Sequence, residues 1–250
     1  MSKGQSTRSS RPVLTLGIDG CRAGWLFVAQ DLATGNCRAG IMSAIDEVPG
    51  FSPVPETVAI DIPIGLPDSR PRLCEAEARR LLGRPRSSSV FSIPPRKVLR
   101  ASSYAEACRI GAKIDGRKLS RQTWNILPKI KEVDAFLKAH PELREVLWES
   151  HPELCFWRLN GCVPLKHSKR TAQGRAERER LVTSYFGQEY LLTRSALLGD
   201  SQRPSGWASD DLLDAFAVLW TAGRKARGVA VGVPENPPRD RTGLRMQILS

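Results

Sequence analysis

Apolar positions near the start of the chain fall in short, almost uninterrupted runs. Residues 13–19 (VLTLGID) form one such run, ending in glycine and an acid, the pattern of a strand covered on both faces. Residues 25–30 (WLFVAQ) and 37–42 read as second and third strands. The turn chemistry of 31–36 (DLATGN) links them as a hairpin. Residues 57–62 (TVAIDI) form a fourth run that again carries an acid, Asp61, before Pro63, Gly65 and Pro67 stop it.

Helical periodicity takes over further along. Residues 74–82 (CEAEARRLL) have helical spacing with Gly83 as a C-terminal stop. Residues 84–96 are a loop of Pro, Ser and Arg. Ser103 and Glu106 make a capping-box pattern opening a helix over 104–110. Residues 120–139 read as helical with a break near Pro128. Residues 145–149 (EVLWE) are a short fifth strand ending in Glu149. Residues 171–186 form a charged amphipathic helix, and Ser209 caps a final helix over 210–225 (DDLLDAFAVLWTAGRK). Strands first, then strands alternating with helices, predict an α/β fold: a mixed five-stranded sheet flanked by helices, with 84–145 as a helical insertion. On this reading residues 1–11 are a flexible basic arm, 12–232 a single domain and 233–250 an irregular C-terminal tail.

Composition narrows the function classes. Of 250 residues, 41% are hydrophobic, enough for a real core, so wholesale disorder is excluded. No apolar run approaches the ~18–20 residues of a membrane helix, and the first residues lack the apolar stretch of a secretory signal. Six dispersed cysteines without a Cys-x-x-Cys pair suggest reduced thiols and a cytoplasmic setting. His151, Cys155, Cys162 and His167 have a metal-like spacing, although Cys155 reads as core. Lys and Arg number 38 against 26 Asp and Glu, a net charge of +12 that favours a polyanion such as nucleic acid as partner. DNA and RNA are not distinguished by it.

Acids recur at element ends. Asp19 ends the first strand, Asp61 the fourth and Glu149 the fifth, while Asp211 and Asp214 share a face of the last helix. A lone Asp at a strand end also serves as a turn residue, and Asp211 suits a helix first turn. Asp214 stands out because it interrupts an apolar stripe, where a carboxylate needs a partner or a metal. Carboxylate oxygens select Mg²⁺ or Mn²⁺. Several basic and polar residues suit a phosphate. Lys169 and Thr171 open a helix, where Thr171 either caps it or helps bind an anion. Arg96 and Lys129, each following proline, are phosphate clamps or surface charges. His151 either orients a water or bonds a loop carbonyl.

Six ordered motifs carry a family resemblance: GIDGCRAGW (17–25), IDIPIGLP (60–67), RSSSVFSIPPR (86–96), ESHPELCFWRLNG (149–161), SKRTAQGRAERERL (168–181) and DDLLDAFAVLWTA (210–222). Together, across roughly 13–225, they resemble the DUF429 family, described as predicted nucleases with a ribonuclease-H-like fold. The resemblance implies a metal-dependent nuclease whose acids are Asp19, Asp61 and Asp214. Asp211 and Asp214 are similar to the Asp-x-x-Asp of resolvase-type enzymes, and Glu149 belongs to the family's own motif. It further implies two Mg²⁺ ions at the phosphodiester. Two other readings compete: a non-catalytic nucleic-acid- or protein-binding module of the same fold, and a phosphotransferase of the actin and sugar-kinase type. The last requires a second glycine-rich phosphate loop, and the sequence contains none.

Overall fold

The computed structural model describes residues 13–69, 71–199 and 206–250; the expected arm at 1–11 lies outside them. Strands β1 (Leu14–Cys21), β2 (Gly24–Asp31) and β3 (Cys37–Met42) form an antiparallel meander. Strands β4 (Thr57–Ile60) and β5 (Leu147–Glu149) then run parallel to β1, giving the order β3-β2-β1-β4-β5. This is the ribonuclease-H-like arrangement that the motifs imply.

Alternation along the strands sorts the side chains into two layers. Leu14, Leu16 and Ile18 of β1, with Val58 and Ile60 of β4, face a core built with helix α3 (Arg121–Ala139) through Ile130, Val133, Phe136 and Leu137. Leu26 and Val28 of β2 and Ala59 of β4 face the opposite core. That core is formed by helix α7 (Ser209–Ala226) together with helices α4 (Pro152–Leu159), α5 (Ala172–Phe186) and α6 (Gln188–Gly199). Gly17 lets α7 lie directly on the sheet: a Cβ there would stand 2.2 Å from Ala215 O and 2.3 Å from Leu219 N.

Several boundaries differ from the sequence reading. Helix α1 (Leu73–Arg86) loses helical geometry at Gly83, whose φ of +56° explains the glycine, so its regular part ends where expected. Helix α2 (Tyr104–Asp115) is capped by Ser103 as expected, but the Glu106 carboxylate reaches Ser102 N, one residue further upstream. Helix α3 runs unbroken through exposed Pro128, because Leu127 packs with Val98 and Ala107 before it while Ile130 and Val133 hold it against the sheet after it. Helices α4 and α6 were not expected. Residues 233–250 are not an irregular tail either. Strands β6 (Gly232–Val233) and β7 (Ile248–Leu249) pair, and Val233 and Ile248 pack with Cys74, Leu82 and Trp157.

Candidate functional site

Strand parity determines where the acids go. Thr15, Gly17 and Asp19 alternate toward α7, and continuing β4 past Ala59 sends Asp61 to the same side. The backbone N–H of Asp61 bonds Ile18 O at 2.9 Å, which holds the two strand ends side by side. Asp214 sits on α7, 2% exposed, over those ends. All three carboxylates, with Asp211, Glu149 and His151, line one cleft of about 670 Å³.

The electrostatics show how close the acids are. Burial, then the charges of Asp61, Asp214 and Asp211, push the Asp19 carboxyl well above its usual range. Asp61 is pushed up to about 7, by burial first, with Lys169 opposing and Glu149 and Glu153 reinforcing. Asp214 is pushed up to about 6 by burial, opposed by Lys169 and reinforced by Asp61 and Glu153. Lys169 Nζ donates to Asp214 Oδ2 at 2.5 Å, and the charges of Asp214, Asp19 and Asp61 all favour its ammonium form. Three carboxylates thus surround one bonded ammonium.

The other expected residues divide clearly. Glu149 lines the cleft but is committed elsewhere. Arg72, 2% exposed, grips both its oxygens at 2.5 and 2.7 Å, and Ile64 N donates to it at 2.8 Å. Its expected role as metal ligand is therefore corrected to that of a structural ion-pair partner. Asp211 Oδ2 accepts from Ala208 N at 2.8 Å, so this acid, rather than Ser209, caps α7. His151 Nε2 lies 3.4 Å from Ser89 O, while its Nδ1 is buried with no protein partner. Burial holds its imidazole neutral.

Among the basic candidates, Lys169 and Lys129 line the cleft. Lys129 donates to Gly24 O at 2.5 Å and lies 4.1 Å over the Trp25 ring, its stem crossing Gly20. Arg96 does not reach the cleft. It ties Asp134 of α3 to Asp240 in the C-terminal segment, which leaves no guanidinium free for phosphate. Thr171 is a plain N-cap, accepting from Gly174 N at 3.1 Å and donating to Ser168 O. Both phosphate-binding expectations are corrected accordingly.

Glu153 and Arg178 were missed. Buried Glu153 lines the cleft and accepts from Arg178, which is 1% exposed and also bonds Gly174 O and His167 O. Arg178 looks like one more charge on a charged helix; only its place four residues after buried Gly174 hints that it faces inward. Among the described residues, no group of three His, Cys, Asp or Glu side chains is placed to hold a metal ion as it stands. The His151–Cys155–Cys162–His167 spacing forms no site: the Cys155 thiol lies against the Ser150 and Thr221 hydroxyls, while His167 bonds Glu177.

Residues 17–239 match the family model described as a protein of unknown function, DUF429. The chain belongs to the DUF429 family. The match spans all three acids of this DUF429 protein and the buried Arg72–Glu149 and Arg178–Glu153 pairs. No curated protein and no solved structure matches the chain. No helix of this DUF429 protein, among the described residues, is long and apolar enough to cross a membrane.

Proposed function

We propose that this protein is a divalent-metal-dependent nuclease that hydrolyses phosphodiester bonds of nucleic acid. The observation that carries the reading is the convergence of three carboxylates on one cleft, buried Asp19 of β1, buried Asp214 of α7 and partly buried Asp61 just past β4, against a single ammonium bonded to one of them. Buried carboxylates lacking enough positive charge are costly unless a cation joins them. The donor chemistry, oxygen only, suits Mg²⁺ or Mn²⁺. Asp19, Asp61 and Asp214 would hold the ion, which would supply a bound water of lowered pKa and charge stabilisation at phosphorus.

The chain's own groups then have separate tasks. With Asp214 bound to the ion, Lys169 would be free to meet a phosphate oxygen. Arg86 and Arg170, which also line the cleft, add positive charge for the strand. Neutral His151, with Nδ1 unpartnered, is set to hold a water rather than to donate a proton. Arg72 and Arg178 keep Glu149 and Glu153 fixed behind the acids.

The test is cleavage of labelled single- and double-stranded DNA and RNA with Mn²⁺ or EDTA. The nuclease reading predicts Mn²⁺-dependent cleavage that Asp19→Asn and Asp214→Asn each reduce by at least ~100-fold. Equal cleavage by wild type and Asp19→Asn would refute it. A second reading, a non-catalytic nucleic-acid- or protein-binding module, draws support from the Lys169–Asp214 bond, which already neutralises one acid. It predicts nucleic-acid binding without Mn²⁺ binding.

A further inference from the structure

The cleft has a second wall that the acids do not explain. Phe91, from the loop between α1 and α2, lines it. Among the described residues, Phe91 stacks with no aromatic ring and joins none of the buried apolar clusters. It is nevertheless only partly exposed, so its ring borders the cleft rather than standing free in solvent. Helix α3 presents Gln122, Asn125, Ile126 and Lys129 to the same cleft. That spacing of three, four and seven residues is one helix face. Lys129 marks the end next to Asp19, whose charge it feels. At ~1.5 Å of rise per residue, Asn125 stands ~6 Å and Gln122 ~10 Å further along the helix from Lys129. Among the described residues neither amide is engaged by another side chain or by backbone, and both are exposed. The one cleft is therefore lined by carboxylates, a cation, an aromatic ring outside the buried clusters and two open amides.

We propose that this wall is a nucleobase subsite: Phe91 stacks on an unpaired base and the amides of Asn125 and Gln122 bond its edge, so that the protein takes single-stranded nucleic acid. The chemistry follows from what a duplex hides. A paired base already stacks on both faces, so an aromatic platform gains contact only with a base that is unpaired or splayed out. Amides both donate and accept, which matches the mixed donor and acceptor edge of a base. The volume, about 670 Å³, falls in the ~300–1,000 Å³ range of sites for small ligands, which suits a nucleotide-sized unit. The inference deepens the nuclease reading and depends on it only for the cut. Ring stacking requires no metal.

The experiment measures binding of a 2-aminopurine-labelled oligonucleotide, as DNA and as RNA, single-stranded and annealed, at low salt in EDTA and again with Ca²⁺. The wild type should bind the single strand more tightly than the duplex and quench the fluorophore. Phe91→Ala should weaken binding by about 5- to 150-fold, the loss of one base–aromatic stack, and Phe91→Trp should restore it. Asn125→Ala, at an exposed position that folding does not need, should weaken binding several-fold. Tighter duplex binding by the wild type would overturn the inference, as would an unchanged affinity in a folded Phe91→Ala protein or in Asn125→Ala. The two claims fail separately. Single-strand binding that depends on Phe91 without any Mn²⁺-dependent cleavage would refute the nuclease and keep the subsite. Cleavage that depends on Asp19, with duplex preferred, would do the reverse.

Discussion

The ammonium of Lys169, on the loop that precedes α5, lies 2.5 Å from Asp214 Oδ2, and among the described residues this is the one ion pair that any of Asp19, Asp61 and Asp214 makes. Its side chain is 43% exposed, so the pair is partly screened by water. Lys169→Met should destabilise the metal-free protein at pH 8 by about 1 to 2 kcal/mol, a value discounted for that exposure. Mn²⁺ should then raise the melting temperature of the variant more than that of the wild type. Thermal melts in EDTA and in Mn²⁺ check this; an equal response of both proteins contradicts it.

The pH dependence has a defined sign. Asp61 keeps its proton up to about pH 7 in the folded chain, against 3.8 ordinarily, and Asp19 shifts the same way. Between those values the folded state binds more protons than the unfolded one, so the metal-free protein loses stability as pH rises from 4 to 7. Asp61→Asn removes part of that loss and should be more stable than the wild type at pH 8 by about 1 kcal/mol, at the expense of activity. Urea midpoints at pH 5 and pH 8 in EDTA decide it. Parallel pH profiles for the two proteins would contradict it.

Arg72 and Glu149 are the buried pair at the floor of the cleft, with Glu75 also bonded to Arg72 at 3.0 Å. Arg72→Met leaves Glu149 buried without its partner and should cost about 3 to 5 kcal/mol. Arg72→Lys should restore little, because one ammonium cannot span two oxygens and the Ile64 and Gly65 carbonyls. Glu149→Gln should lower stability but leave Mn²⁺ affinity unchanged, whereas Asp19→Asn should lower that affinity at least ~10-fold. Calorimetric Mn²⁺ titrations separate the two acids; an equal loss in both would return Glu149 to the ligand set.

Much of the site was legible because periodicity determines direction. A period of two sends Asp19 and Asp61 to one face of the sheet, and an acid inside the apolar stripe of α7 has nowhere to point but the same place. The misses are long-range. Arg72 finds Glu149 77 residues away and Arg178 finds Glu153 25 residues away, and no local pattern marks a buried arginine. Arg96 and Thr171 were misread for the converse reason: a loop arginine and a helix-capping threonine look available until Asp134, Asp240 and Gly174 N occupy them. The closing strands β6 and β7 are two residues each, too short for alternation to show.

The C-terminal segment gives a further prediction from that misreading. Asp240 accepts from Leu66 N at 2.9 Å and Leu244 N at 3.1 Å and is bound by Arg96, so it fastens the segment to the loop after β4 and, through Arg96, to α3. Arg96→Ala should destabilise the fold by about 2 to 4 kcal/mol by leaving Asp134 and Asp240 without their arginine. It should not change the salt dependence of nucleic-acid binding, since Arg96 meets no phosphate. A smaller salt slope in the variant would contradict this placement.

On the proposed function, Asp19, Asp61 and Asp214 jointly hold a divalent cation. A crystal soaked in Mn²⁺ at pH 8 tests it most directly. The account predicts anomalous density between the three carboxylates, with Lys169 withdrawn from Asp214. Lys169 still bonded to Asp214, and no anomalous peak in the cleft at saturating Mn²⁺, would contradict it.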